Sequence, residues 1–323
     1  MPAMITHLLC GQRVLECVDA KLANIVHRHR KLYDLGTQGG DMFFYRPWGA
    51  TRGIGSRMHV EGAGVFLSSM AAGLKGLEND ACREGALAYF AGFLTHYAMD
   101  CAGHPYVFYK TGFDEDGELT GVYKVYHVTF ESAIDTLLLR HLESSRPIDK
   151  KWYKRLNIRR KHARTTAGVL SGAINNAYNT ELKCRHALSA MAYMSIASRV
   201  LRSRWGIWRG IVGFVENRFT GDGVWTAMIH RQDIGDGIDY LNKGNKVWRE
   251  PWDAESVRYD SFKRLFEDAA DDAVRMIEAV WEYVHGKTSL DGLSAVLGDR
   301  SFYSGRPIKE QVVFKVHDVV FRR

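Results

Sequence analysis

The stretch Gly85-Ala-Leu-Ala-Tyr-Phe-Ala-Gly-Phe-Leu-Thr95, followed directly by His96-Tyr-Ala-Met-Asp100, decides how this chain is read. It is the most apolar helical run in the sequence and is too short to cross a bilayer, so it reads as a buried core helix. The run ends in an imidazole and a carboxylate four residues apart, which a helix presents on one face. Burying both without a partner is costly, and one cation would satisfy both.

A second pair with the same spacing is His127 and Glu131, on a helix predicted over 126–143. There His127, Glu131, Ile134 and Leu138 form one stripe, so the polar pair turns toward the core. The pairs alone carry no information, because 13 histidines and 37 acidic residues placed at random give about as many. Their context does. Asp41 lies in the Gly-rich loop from Gly36 to Trp48, where backbone freedom lets a carboxylate approach the core. His59 lies near the start of another helix and His104 just beyond Asp100, so seven ligand-type residues occur in order within the first 131. Imidazole nitrogen and carboxylate oxygen are zinc donors at about 2.0–2.2 Å. We expect a polynuclear zinc site.

Composition is that of an ordinary globular protein, with 46% hydrophobic and 25% charged residues in a chain of 323. Only six prolines interrupt it, which favours an all-α, multi-helix bundle. Five cysteines without a Cys-x-x-Cys pair fit reduced thiols, and Cys101 reads as a bystander to its neighbours Asp100 and His104. The first residues, from Met1 to Arg13, show neither a charged n-region nor a long apolar h-region, so the expectation is a cytoplasmic protein with no transmembrane segment. The formal charge of +7 is concentrated in residues 150–164, with Trp152 and Tyr153 among the cations. A second stretch, Arg202 to Val215, mixes cations, tryptophan and aliphatics. Both suit peripheral contact with an anionic membrane surface or a polyphosphate, although the simpler reading is a solvated helix face and an ordinary core helix.

Helices are expected over 5–30, 57–75, 80–101, 126–143, 147–178, 183–203, 205–217 and 255–286. Residues 1–145 would form the zinc-binding core, 146–286 a helical continuation packed on it, and 287–323 a tail that the pattern leaves open between strand and helix. The acidic segment Thr111–Thr120 lacks the ligand spacing of a calcium loop and reads as solvated.

Taken together, Thr6-His7-Leu8, Gly39-Gly-Asp41 with its aromatic followers, Arg57-Met-His59, His96-Tyr-Ala-Met-Asp100 with His104-Pro105, and His127-Val-Thr-Phe-Glu131 resemble the zinc-dependent phospholipases C. That family shares its helical fold with the single-strand-specific zinc nucleases. The resemblance covers residues 1 to about 145 and implies a phospholipase C/P1 nuclease-like bundle with two or three Zn2+ in a cleft. It implies that Asp41, His59, His96 and Asp100 surround one ion and His104, His127 and Glu131 a second. His7 and the other oxygen of Asp100 would serve a third, which family members complete with a free amino terminus. The interval from Asp100 to His104 is shorter here than in the secreted phospholipases. The implied activity is phosphodiester hydrolysis by attack of a zinc-activated hydroxide on phosphorus, releasing diacylglycerol and a phosphorylated headgroup. Asp41 is the candidate to steer that nucleophile or accept its proton.

Other hydrolase classes find no support. Glu-x-x-His occurs once, at Glu282 and His285, where a di-iron bundle needs it twice, and the only His-Asp doublet is His317-Asp318 in the tail. Gly-x-Ser-x-Gly and Gly-x-Gly-x-x-Gly are both missing. Two alternatives stay open: a nuclease or phosphatase on the same scaffold, with nucleic acid the less favoured substrate, and a non-catalytic metal-containing protein that binds a lipid or a protein.

Overall fold

The computed structural model describes residues 4–201, 207–219, 221–235 and 237–321. Among them every regular element longer than two residues, apart from short 3-10 turns, is an α-helix, as the all-α reading requires. In chain order these are α1 (Met4–Cys17), α2 (Ala20–Arg28), α3 (Arg30–Gly36), α4 (Ile54–Val60), α5 (Ala63–Lys75), α6 (Asp80–Thr111) and α7 (Gly121–Glu143). Then follow α8 (Trp152–Leu156), α9 (Arg160–Tyr178), α10 (Cys184–Leu201), α11 (Ile207–Phe219), α12 (Val224–Ala227), α13 (Phe262–Val284) and α14 (Leu290–Leu297). Between α12 and α13, β1 (Trp248–Arg249) and β2 (Val257–Arg258) form a short antiparallel pair with Trp248 opposite Arg258.

Helix α6 is the axis of the molecule. Asn79 caps its start by accepting from the Cys82 N–H at 2.9 Å, and Gly112, at φ +79°, ends it. From Gly85 to Thr111 it is buried on all sides except for a partly exposed Ala102, so neighbours must cover its whole circumference. α3 packs on it at backbone distance: a Cβ on Gly92 would stand 2.2 Å from the Tyr33 carbonyl oxygen, and one on Gly36 2.0 Å from that of Tyr89. α13 packs along another side, capped at Ser261 and bringing Phe262 against Tyr106.

The helix runs ten residues past the expected end at 101, straight through Pro105. Proline removes the N–H that would bond the Cys101 carbonyl, a penalty of about 3 kcal/mol. Burial of Tyr106, Val107 and Phe108 outweighs it at about 1.5–3 kcal/mol each. Gly305, at φ +67°, lies against that freed carbonyl, where any Cβ would come within 2.4 Å of the oxygen.

Other boundaries also moved, for local reasons. The single helix expected over 5–30 is split into α1 and α2, because Asp19 leaves helical geometry to cap α2 through the Lys21 N–H at 2.8 Å. The helix expected over 57–75 is broken by Gly62 at φ +64°, which places His59 in the last turn of α4. The segment 147–178 begins with a 3-10 turn and the short α8 before α9. Within it Trp152 is buried under the Arg155 guanidinium, so the basic stretch is only partly a solvated face. The ordinary core helix expected around 202–215 is corrected as well. Residues 202–206 lie outside the described residues, while α11 exposes Trp208, Ile211, Phe214 and Val215.

Of the tail, residues 290–297 form α14, while the stretch 312–321 forms neither strand nor helix. It runs extended across the core, with the Lys315 and Val316 N–H groups donating to the Pro251 carbonyl, Asp318 to that of Tyr109 and Val320 to that of Lys110. Among the described residues no helix is long and apolar enough to cross a membrane.

The α3–α6 contact gives a first test. Gly92→Ala should destabilise the fold by about 1–3 kcal/mol through overpacking, seen as a lowered urea midpoint at unchanged m-value.

Candidate metal centre

All eight residues singled out in the sequence converge. His7, Asp41, His59, His96, Asp100, His104, His127 and Glu131 are each at most 5% exposed. They form three groups whose donor atoms lie within 4.8 Å of one another: His7, His96 and Asp100; Asp41, His59 and His96; and His104, His127 and Glu131. Asp100 joins them. Its Oδ2 lies 3.1 Å from His96 Nε2 and 3.4 Å from His59 Nε2, and its Oδ1 lies 3.3 Å from His7 Nε2 and 3.9 Å from His104 Nε2.

Each donor is aimed by its own element. α6 presents His96, Asp100 and His104 at successive fourth positions, and α7 does the same with His127 and Glu131. Asp41 sits in the 3-10 turn Gly39–Phe43, folded against the His96 ring. Gly39 makes that possible, since it has φ +48° and a Cβ there would fall 1.9 Å from His96 Cδ2. Phe43 and Tyr45 are buried, as expected for residues that pack this loop onto the core.

Two imidazoles have their tautomer fixed from behind. His59 Nδ1 lies 2.7 Å from the Gly55 carbonyl oxygen and His104 Nδ1 lies 2.8 Å from that of Phe302. A carbonyl only accepts, so both Nδ1 atoms carry hydrogen and both Nε2 atoms turn to the carboxylates. His59 Nε2 then faces Asp41 Oδ1 at 3.3 Å, and His104 Nε2 faces Glu131 Oε1 at 3.3 Å. A bare lone pair facing carboxylate oxygens is repulsive, so a cation must stand between them, either a proton or a metal ion. Burial opposes a proton on His59, yet Asp100 and Asp41 beside it push its pKa up to about 9. Asp100 is held well below the usual carboxylate range by His96 and His104, against the opposing effect of burial. His96 and His127 move the other way, chiefly because burial disfavours their charged forms.

Spacing distinguishes the two cations. His7, His59, His96, His104 and His127 each place Nε2 3.1–3.4 Å from a carboxylate oxygen. That is about the edge of a tetrahedron of donors held 2.0–2.1 Å from a central ion. The orientations agree, since Asp41 Oδ1, His59 Nε2, His96 Nε2 and Asp100 Oδ2 are buried without a hydrogen bond. Buried polar atoms are rarely left so. The donor set therefore fits divalent metal ions, held by nitrogen and oxygen with no thiolate. Cys101 stays outside, its thiol directed at the Ser301 carbonyl at 3.6 Å.

Two parts of the centre escaped the sequence reading. Asp135 is fully buried and accepts from the Ile5 and Thr6 N–H groups at 3.1 and 2.7 Å, fixing the first turn of α1 just before His7. It also holds His230 at 2.7 Å, a histidine whose sequence offers Ile234, and no acidic residue, four positions on. The clue was its place four residues beyond Glu131 on the same stripe of α7. The other part is the tail. The Phe302 N–H donates to the His59 carbonyl at 2.9 Å, Phe302 packs on His59 with ring centroids 5.0 Å apart, and Tyr303 lies 5.5 and 5.6 Å from the rings of His59 and His104. No local pattern announces a contact across about 200 residues.

Metal content by mass spectrometry should fall in His96→Ala and His127→Ala, and also in Gly39→Ala, whose new methyl group displaces the His96 ring. Calorimetric titration of metal-stripped protein with zinc in two buffers of different ionisation enthalpy should show proton release near neutral pH. Affinity should rise with pH up to about 9, the His59 value, because protons compete for the same nitrogen. A buffer-independent heat would contradict this account.

No family model matches the chain, and comparison with curated proteins and with solved structures finds no match.

Proposed function

We propose that the chain is a zinc-dependent phosphodiester hydrolase of the phospholipase C type, built on a phospholipase C/P1 nuclease-like bundle. The observation that carries this reading is the set of imidazole–carboxylate separations of 3.1–3.4 Å in groups that share Asp100. Nitrogen-rich donors with carboxylates favour zinc over magnesium or calcium, which take oxygen. Neighbouring zinc ions would supply a hydroxide nucleophile at neutral pH and positive charge for a phosphoryl transition state.

The protein's own groups then have separate tasks. Asp41, which would offer Oδ1 to a metal ion beside His59 and His96, is the carboxylate we assign to steer the nucleophile. The Tyr45 hydroxyl is buried with no hydrogen-bond partner, in the field of Asp41, Asp135 and Glu131. A donor in that position suits an oxygen of a phosphoryl group. The Tyr303 ring lies beside those of His59 and His104, edge-on to the latter.

The nuclease alternative has less support. Trp152 is buried and Arg155 is paired with Asp34 at 2.8 Å, so the basic segment gives neither to a single strand. Metal-replete protein should cleave phosphatidylcholine and bis(p-nitrophenyl) phosphate, and His127→Ala should abolish both. Tyr45→Phe should lower kcat by about 10- to 100-fold at full metal content. Cleavage of single-stranded DNA but not phospholipid would move the assignment to the nucleases. Inactivity toward both at full metal loading would leave a structural metal site.

A further inference from the structure

Helix α11 shows water an apolar side. Trp208, Ile211 and Val215 follow at i, i+3 and i+7, and Phe214 stands next to them, with exposures of 46, 48, 48 and 76%. Its inner side is anchored by Glu216, which is buried and accepts from the Trp225 and Thr226 N–H groups and the Thr226 hydroxyl at 2.5, 2.9 and 2.6 Å. That anchor fixes which face looks outward. Trp225 on α12 is exposed as well, at 42%. Scattered exposed apolar residues are normal, but four in one helical arc are not.

Charge identifies the occupant. Residues 199–218 carry five arginines against one glutamate, and that glutamate is the inward anchor. Arg218 lies within the outward arc. On the inner side Arg209 lines a cavity with Arg231, Thr129 and Ser132, bringing two like charges close enough to raise each other's energy. An exposed aromatic and aliphatic stripe that carries a cation and no acidic residue matches the boundary between acyl chains and anionic headgroups. With 13 residues the helix is about 20 Å long, short of a bilayer's apolar thickness of about 30 Å, so it would lie in the interface plane.

We propose that the outer face of α11 docks on an anionic lipid bilayer, with Trp208, Ile211, Phe214 and Val215 entering the headgroup boundary. This stands apart from hydrolysis and is tested without it, by co-sedimentation of metal-stripped protein with vesicles of phosphatidylcholine alone or mixed with phosphatidylserine. Wild-type protein should bind the mixed vesicles and bind the neutral ones far less, and added salt should weaken the binding. The double variant Ile211→Asp, Phe214→Asp should bind at least about tenfold less, with unchanged circular dichroism and melting. In its metal-replete form it should still cleave a water-soluble phosphodiester if the hydrolase reading is right, so the two ideas fail separately. Absence of vesicle binding by the wild type, or equal binding by the variant, overturns the proposal. So does a wild-type dimer in sedimentation that the variant loses without any vesicle binding, which would assign the face to a second copy.

Discussion

The carboxylate of Asp100 is the point on which this structure closes. Its two oxygens face four imidazoles that come from α1, α4 and α6, in a place water scarcely reaches. An anion so buried is intolerable unless positive charge stands beside it. Two of the surrounding imidazoles are locked by backbone carbonyls in the tautomer that leaves Nε2 for a cation. Through donor chemistry and through separations wider than good hydrogen bonds, the arrangement suits divalent metal ions.

Precision at that point is supplied by parts with little freedom. α6 is packed on every side and joined to α3 through glycines that no larger residue could replace without displacement. Asp135 links the first turn of α1 to α7, tying the segment that carries His7 to the helix that carries Glu131. Phe302 closes the assembly by bonding to both the His59 backbone and the His104 ring. Sites placed on rigid elements hold donors to within fractions of an ångström, which metal chemistry requires. The periphery follows a different logic, since α11 turns apolar side chains outward while its single carboxylate faces in.

Much of this was legible along the chain. Four-residue spacing placed His96 with Asp100 and His127 with Glu131, because helix geometry is local and repeats at a known interval. The apolar run from Gly85 to Thr95 announced a buried helix for the same reason. Where reading by pattern failed, a distant partner had intervened. The helix expected to stop at 101 runs on through Pro105 because packing favours it, and the carboxylate that holds His230 lies 95 residues upstream. The stretch around Phe302 belongs to the tail that local pattern leaves open, yet it packs against His59.

By itself, then, the sequence determined helical character, the identity of the donor side chains and their pairing within α6 and α7, all consequences of composition and periodicity over a few residues. Tertiary structure alone decided that Asp41, His59 and His7 meet those pairs, that Asp135 and the tail hold them there, and that α11 faces outward. Those outcomes depend on how surfaces remote in sequence fit together, and no local interval encodes the distance between residues that only folding brings into contact.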